Sequence, residues 1–319
     1  MDNPPVSRTA TIAQHAPCAN TKQMNSDATS DAAGWTTTAK VLVGVMGVLM
    51  TAHISIHLWD AANPLKRVNW PVAVIIFALF AFANALYAQG WKRAIAFLAI
   101  TCIAAWSCEA YGLHHSWLFG TYYYTELLGP RLAGVPLVVP LAYFMMMYPS
   151  YVITNLMVFG HPVMTMATTL PRVAAVSLLT ALVMTAWDLT NDPLMADQVK
   201  AWVWPLGGPY FNIPLQNFRG WILVVFIVVF GCRITERFVA RKPLGPPWRI
   251  VTLGSLIGYG LFLLTDTIAG FPSGTRIIAP FAMGIPLLTA CIRLYDGNPE
   301  KTGTASNSQS SPLRTPRPQ

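Results

Sequence analysis

The chain has 319 residues, of which 54% are hydrophobic and only 11% are charged, whereas soluble domains carry about 25% charged residues. This composition excludes a soluble globular enzyme, an intrinsically disordered chain and a collagen-like chain. The net charge of +8 does not predict a nucleic-acid partner, because the basic residues stand singly or in pairs between long apolar runs and form no basic stripe. This spacing is typical of the loop charges of a multi-span membrane protein.

Two polar tails enclose the apolar part of the chain. Residues 1–37 are rich in Ser, Thr, Ala, Asn and Pro and open with no basic-then-apolar block, so they predict a disordered tail and no cleaved signal peptide. Residues 297–319 offer almost nothing to bury and predict a second disordered tail. We therefore expect one transmembrane domain over residues 38–296.

The apolar part divides into eight charge-poor stretches, and a membrane-spanning helix needs about 20 mostly apolar residues. The stretches are 41–59, 70–91, 94–108, 136–159, 173–187, 220–232, 250–265 and 277–292. The predicted fold class is therefore all-α: a polytopic integral membrane protein of about eight transmembrane helices. If the N-terminus is inside, the connections on that side hold 15 of the 21 basic residues. This asymmetry predicts a multi-pass protein of the cell (plasma) membrane with both termini in the cytoplasm.

The acidic residues fall short of the opposite surface. Glu109 follows Arg93 after fifteen apolar residues, a rise of roughly 22 Å in a helix, whereas the hydrocarbon core is about 30 Å thick. The same holds for Asp188 and Asp266. Spans that run in the same direction end on the same side of the membrane, so further polar residues are expected at the depth of these acids. They are His53, His57, Asp60, Asp192, Asn217 and Arg219. They either line a polar interior or lie at the interface of short, tilted helices.

Two connections lead into this layer of polar residues, one after Glu109 and one after Asp188. Both are rich in aromatic residues and are interrupted by Gly and Pro. Aromatic residues at this density are typical of a membrane interface, but such a loop can also re-enter and line a pocket. We therefore predict two motif-bearing loops that are re-entrant or interfacial.

The sequence does not predict a metal or another cofactor. His53 and His57 lie one turn apart, and His114 adjoins His115, but the chain has too few histidines for the histidine boxes of membrane di-iron enzymes. No phosphate-binding glycine loop, nucleophile elbow or zinc spacing is present. The remaining chemistry consists of carboxylic acids, which stay protonated when buried, and aromatic faces, which stabilise cations. These groups are suited to acid catalysis on an isoprenoid double bond.

Six motifs together resemble the carotenoid-biosynthesis membrane-protein family, which includes the CruF-type carotenoid 1,2-hydratases (bisanhydrobacterioruberin hydratase-like enzymes). The similarity covers about residues 40–295. The motifs are Glu109-x-x-Gly112, Phe119-Gly-x-Tyr122-x-Tyr124, Leu128-Gly-Pro-x-Leu-x-Gly-Val-Pro136, Val139-Pro-Leu-Ala, Thr185-Ala-Trp-Asp-Leu-x-x-Asp-Pro193 and Asn217-Phe-x-Gly-Trp221.

The resemblance implies the addition of water to the terminal 1,2 double bond of an acyclic carotenoid ψ-end. In this hypothesis Asp188 donates the proton and Glu109 activates the water, although these two roles could be exchanged. Asp192 and Arg219 would set the protonation of both carboxyls, and Asn217 would orient one of them. The residues expected to surround the cation are Tyr122, Tyr124, Trp187 and Trp221. The implied partners are a membrane-dissolved carotenoid, the lipid bilayer and other carotenoid-biosynthesis enzymes.

Three other functions fit the same residues. A carotenoid (lycopene-type) cyclase would form the same kind of cation and quench it with an internal double bond. A proton-coupled transporter also places acids inside the membrane, but it predicts acids near the midplane and two related halves. A non-catalytic scaffold for carotenoid enzymes predicts that replacing the acids has little effect.

Overall fold

A computed structural model describes residues 35–63, 70–164, 168–237, 244–245 and 247–296. Almost all of both predicted tails, 1–37 and 297–319, lies outside the described residues. Ten α-helices are present in the described part of the chain. They are α1 (Thr37–Ala62), α2 (Trp70–Gln89), α3 (Trp91–His114), α4 (Ser116–Phe119), α5 (Val139–Phe159), α6 (Leu170–Pro193), α7 (Leu215–Arg237), α8 (Trp248–Ala269), α9 (Thr275–Ala282) and α10 (Gly284–Asp296).

Short elements connect some of these helices. A 3-10 turn spans Glu126–Leu128, and a π-helical turn over Leu194–Val199 continues α6. The four strands are β1 (Tyr123–Tyr124), β2 (Arg131–Leu132), β3 (Val135–Pro136) and β4 (Trp202–Val203).

The structure confirms an all-α polytopic membrane protein. In the described residues, eight helical segments are long and apolar enough to cross a membrane. The eighth combines α9 and α10, which are separated at Met283. Pro286 explains this break, because its nitrogen has no hydrogen to donate to a carbonyl in the preceding turn.

Several helices are longer than the charge-free runs that predicted them. The third run ends at Cys108, but α3 continues through Glu109 to His114. The fifth run ends at Trp187, but α6 continues through Asp188 to Pro193. A carboxyl group stops a hydropathy run without stopping a helix, since the backbone hydrogen bonds continue and the side chains find buried partners.

Helix α5 forms the centre of the bundle and packs against α2, α3, α6, α8 and α10. Buried polar contacts hold it to its neighbours. Tyr148 donates to Asn84 Oδ1 (2.9 Å), and Asn84 donates to the carbonyl of Val251 (2.7 Å), which joins α5 to α2 and α8. Toward the end of α7, the fully buried Arg233 donates to Asn155 Oδ1 (2.6 Å). Arg233, counted above among loop charges, thus lies inside the bundle.

Helix α7 approaches the short helix α4 closely at Gly220. A Cβ atom at this position would collide with the carbonyl oxygen of Leu118 and lie 2.6 Å from the ring of Phe119. At Gly231, on the same helix, a Cβ atom would meet nothing within 4 Å. Gly220 therefore allows the close contact between α4 and α7, whereas Gly231 plays no part in it.

We expect Gly220→Ala to lower the free energy of unfolding by about 1–3 kcal/mol, the usual cost of overpacking. The control Gly231→Ala should leave it unchanged or raise it by up to about 1 kcal/mol, because alanine favours a helix. Thermal unfolding of the purified variants in detergent would measure both effects. Equal melting temperatures would contradict the close packing of α7 on α4.

Candidate functional site

The two motif-bearing loops meet in a two-stranded antiparallel ladder. Tyr123 pairs with Val203 and Tyr124 pairs with Trp202. Beside the ladder, the indole nitrogen of Trp204 donates to the carbonyl of Phe119 at 2.9 Å. The loops after α3 and α6 therefore form one continuous cover over the ends of these helices.

Three tyrosine hydroxyls surround the carboxyl group of Glu109, which is only 4% exposed. Tyr122 and Tyr124 donate to Oε2 at 2.5 and 2.7 Å, and Tyr143 donates to Oε1 at 2.7 Å. Tyr122 and Tyr124 come from the first loop, whereas Tyr143 comes from α5. We call these three residues the tyrosine cage.

The loop tyrosines of the cage stay protonated and therefore act as donors. Burial raises the pKa of Tyr122 and of Tyr124 well above the ordinary value for tyrosine, and the negative charge of Glu109 raises both further. Each hydroxyl can thus direct its hydrogen at Glu109. Hydrogen bonds of this kind stabilise the ionised form of a carboxyl group.

Two further carboxyl groups, those of Asp188 and Asp192, lie one turn apart on α6. Asp188 is fully buried and Asp192 is 2% exposed. The Nδ2 of Asn217, in the first turn of α7, donates to Asp192 Oδ2 at 2.5 Å and to Asp188 Oδ2 at 3.3 Å. We call Asp188, Asp192 and Asn217 the aspartate pair and its amide.

Glu109 and Asp192 line one cavity of about 90 Å³, which we call the main cavity. Its wall is largely aromatic. Trp221 stacks on Tyr143 with ring centroids 4.2 Å apart and meets Trp187 edge-on at 6.3 Å. The other aromatic residues of the wall are Trp70, Phe119, Tyr122, Tyr124, Trp202, Trp204 and Phe262. Two carboxyl groups thus face a mostly apolar space.

The structure brings eight of the nine predicted site residues together. Asp188 is the one of these eight that does not itself line the main cavity, since it lies behind Asp192. Arg219 is the ninth; its side chain is exposed and is not part of the cavity wall. Arg219, which was expected to help set the protonation of the carboxyls, lies on the exposed side of α7, away from the face that carries Asn217.

Tyr143, Asn191 and Phe262 line the main cavity without having been predicted. Tyr143 lies in an apolar span among methionines, where one hydroxyl group lowers the mean hydropathy only a little. A tyrosine inside a span does require a polar partner, and that requirement was the available signal. Asn191 and Phe262 carry no comparable signal.

The two histidine pairs lie apart from each other. The Nε2 atoms of His53 and His57 are 3.3 Å apart, and both residues line a second cavity beside the main one. His114 and His115 are exposed at the end of α3. Within the described ranges, no three His, Cys, Asp or Glu side chains form a group that could hold a metal ion.

We expect Tyr124→Phe to lower the free energy of unfolding by about 1–3 kcal/mol, because it removes a buried donor to Glu109. The adjacent Tyr123 is 52% exposed, so Tyr123→Phe is the matched control and should change stability little. Thermal unfolding in detergent would compare the two. A Tyr124→Phe protein as stable as the control would show that this donor is dispensable.

A comparison with models of known families finds one match. The model described as "Carotenoid biosynthesis protein" matches residues 69–289, more than half of the chain. No curated protein and no solved structure matches the chain. The matched region contains Glu109, Asp192 and the tyrosine cage.

Proposed function

The chain belongs to the carotenoid biosynthesis protein family, which supports a role in carotenoid biosynthesis, and we propose that it hydrates a carotenoid end. In this proposal water adds to the terminal 1,2 double bond of an acyclic ψ-end. The observation that supports it best is the main cavity, where Asp192 and the caged Glu109 face one apolar, aromatic space.

The aspartate pair is suited to donate a proton. Two neighbouring carboxyl groups buried in an apolar setting cannot both carry a charge at low cost, so we infer that the pair holds at least one proton. Within the described part of the chain, neither Asp188 nor Asp192 forms an ion pair with a Lys or Arg side chain. Because Asp192 borders the cavity and Asp188 lies behind it, we assign Asp192 as the donor and Asp188 as its partner. This reverses the order in which the sequence alone ranked them.

Glu109 is suited to accept a proton. Up to three phenol hydrogens point at its two carboxylate oxygens, and such donors offset part of the cost of holding a negative charge in a buried site. An ionised carboxylate inside an apolar cavity attracts a proton from water as that water attacks a cation. The structure thus supplies a reason to distinguish acid from base, which the sequence left open.

The proposed reaction balances without an oxidant or reductant. The π electrons of the C1=C2 bond form a new C2–H bond with the proton of Asp192, whose O–H bond breaks, and C1 becomes a tertiary cation. A water oxygen then forms the C1–O bond and loses a proton to Glu109. Return of this proton from Glu109 to the aspartate pair restores the starting state. The sum is the addition of one water.

The aromatic wall would lower the energy of the cation. Aromatic faces attract a nearby cation, by about 2 kcal/mol or more when water is excluded. Trp187, Trp221 and Tyr143 bring three ring systems to the same side of the cavity. The indole nitrogen of Trp187 is buried and has no hydrogen-bond partner among the described residues, so it can hold the attacking water.

The cellular setting is part of the proposal. The substrate would be a carotenoid dissolved in the membrane, whose end enters the main cavity. We place the protein in the plasma membrane with both termini in the cytoplasm, where other carotenoid enzymes could hand on the substrate. None of these steps calls for a cofactor.

We expect Asp192→Asn and Glu109→Gln each to lower the hydration rate by about 10²–10⁴-fold, the usual contribution of general acid–base catalysis. Asp197→Asn is the control, because Asp197 pairs with Lys200 outside the cavity. The measurement is pigment mass analysis in a lycopene-producing host. A mass gain of one water identifies hydration, and an isomer with altered absorption would instead identify the chain as a cyclase.

Isotope incorporation would separate the acid from the base. In D₂O, Glu109→Gln should still protonate and deprotonate the substrate, so recovered or isomerised carotenoid should carry deuterium. Asp192→Asn should give no deuterium, because its amide has no acidic proton to deliver. The reverse pattern would exchange the two assignments.

A further inference from the structure

The second cavity lies beside the main one and differs from it in chemistry. It has a volume of about 110 Å³, and its wall, although mostly apolar, carries the polar side chains of His53, His57, Asp60 and Asp266. One water molecule takes up roughly 30 Å³ of liquid water, so several water molecules fit. We call this space the polar cavity.

The polar cavity contains groups that call for water. The Nδ1 atom of His53 is buried and has no hydrogen-bond partner among the described residues. His53 otherwise contacts His57 through Nε2 and stacks on Phe77 at 4.3 Å. Asp266 is 7% exposed and accepts a hydrogen bond from Thr190 at 2.6 Å. Buried polar atoms are nearly always hydrogen-bonded, and ordered water satisfies those that protein groups leave over.

The two cavities share a wall, which includes Asn191 and Phe262. Asn191 precedes Asp192 in the chain. Phe262 meets Trp187 edge-on at 5.9 Å, and the indole nitrogen of Trp187 is another buried donor without a hydrogen-bond partner among the described residues. Water that passes Phe262 therefore reaches a free donor next to the aspartate pair.

The other side of the polar cavity reaches the surface. Asp60 is half-buried near the end of α1, and Ala269 is exposed at the end of α8. From Asp60 the polar side chains continue inward to the buried His53. The cover of the main cavity is instead largely aromatic and includes the buried side chains of Tyr122, Tyr124 and Trp204.

We propose that the polar cavity is the water inlet of the active site, delivering water past Asn191 and Phe262 to the main cavity. This inference rests on the proposed hydration, which consumes one water per turnover. It also assigns a role to His53, His57, Asp60 and Asp266, which hold the water and do not touch the reacting carbons. Water delivered through the polar cavity can reach C1 while the carotenoid end fills the main cavity.

Two threonines on α8 provide a test variant and its matched control. Thr265 lines the polar cavity and Thr267 lines neither cavity, and each hydroxyl donates to a carbonyl one turn earlier, at 2.9 and 2.7 Å. Thr265→Leu fills the inlet with carbon, whereas Thr267→Leu makes the same chemical change outside it. We expect Thr265→Leu to lower hydration about tenfold, since it displaces ordered water, and Thr267→Leu to hydrate like wild type. Unquenched cations should appear as isomers of unchanged mass.

Hydroxyl-radical footprinting would detect the water directly and independently of turnover. In wild type, His57 and Phe262 should be labelled more than Phe144, which is fully buried and lines neither cavity. Thr265→Leu should remove the excess label. His53→Phe, whose ring can still stack on Phe77, should lower it as well and serves if Thr265→Leu melts early.

The outcomes separate the two proposals. If wild type hydrates and Thr265→Leu hydrates equally well, the inlet is overturned and the hydratase stands. If wild type yields no hydrated product, the proposed function fails, and with it the inlet, whatever the footprint. Unlabelled His57 and Phe262 in a hydrating wild type would also overturn the inlet.

Discussion

The buried carboxyl groups of Glu109, Asp188 and Asp192 are the constraint on which the rest of the site depends. A buried carboxyl without a cation needs neutral donors or a shared proton, since an isolated charge is very costly in such a setting. Glu109 has its three tyrosines, and Asn217 donates to both Asp188 and Asp192. To supply these partners, α3, α5, α6, α7 and the first loop must converge at one level.

The demand for donors also explains the motif-rich loops. Tyr122 and Tyr124 can reach Glu109 only if the first loop folds back over α3. At Gly112 a Cβ atom would lie 2.5 Å from Cδ2 of the Phe119 ring, so this glycine leaves room for the returning loop. The second loop then holds the first in place through the ladder at Tyr124 and Trp202. Catalytic and structural demands thus fall on the same residues.

The sequence predicted the eight spans and the gathering of acids at one end, because span direction alternates and each acid interrupts an apolar run. It could not predict the order of Asp188 and Asp192 in depth, since residues one turn apart share a helix face and only the packing of α7 decides which borders the cavity. The sequence predicted the depth of Arg219 on α7 but not that its side chain is exposed. Tyr143 was missed because its span reads as apolar.

The ladder between β1 and β4 joins two stretches that are about 80 residues apart in the chain. A strand pair fixes register, so a one-residue insertion in either loop would turn its side chains to the opposite face. An insertion before Tyr124 would turn its hydroxyl away from Glu109, and one before Trp202 would break the pairing that holds Tyr124 in place. The two loops therefore form one inherited unit: a chimaera with a related protein should exchange both together, and loop lengths among relatives should change in step.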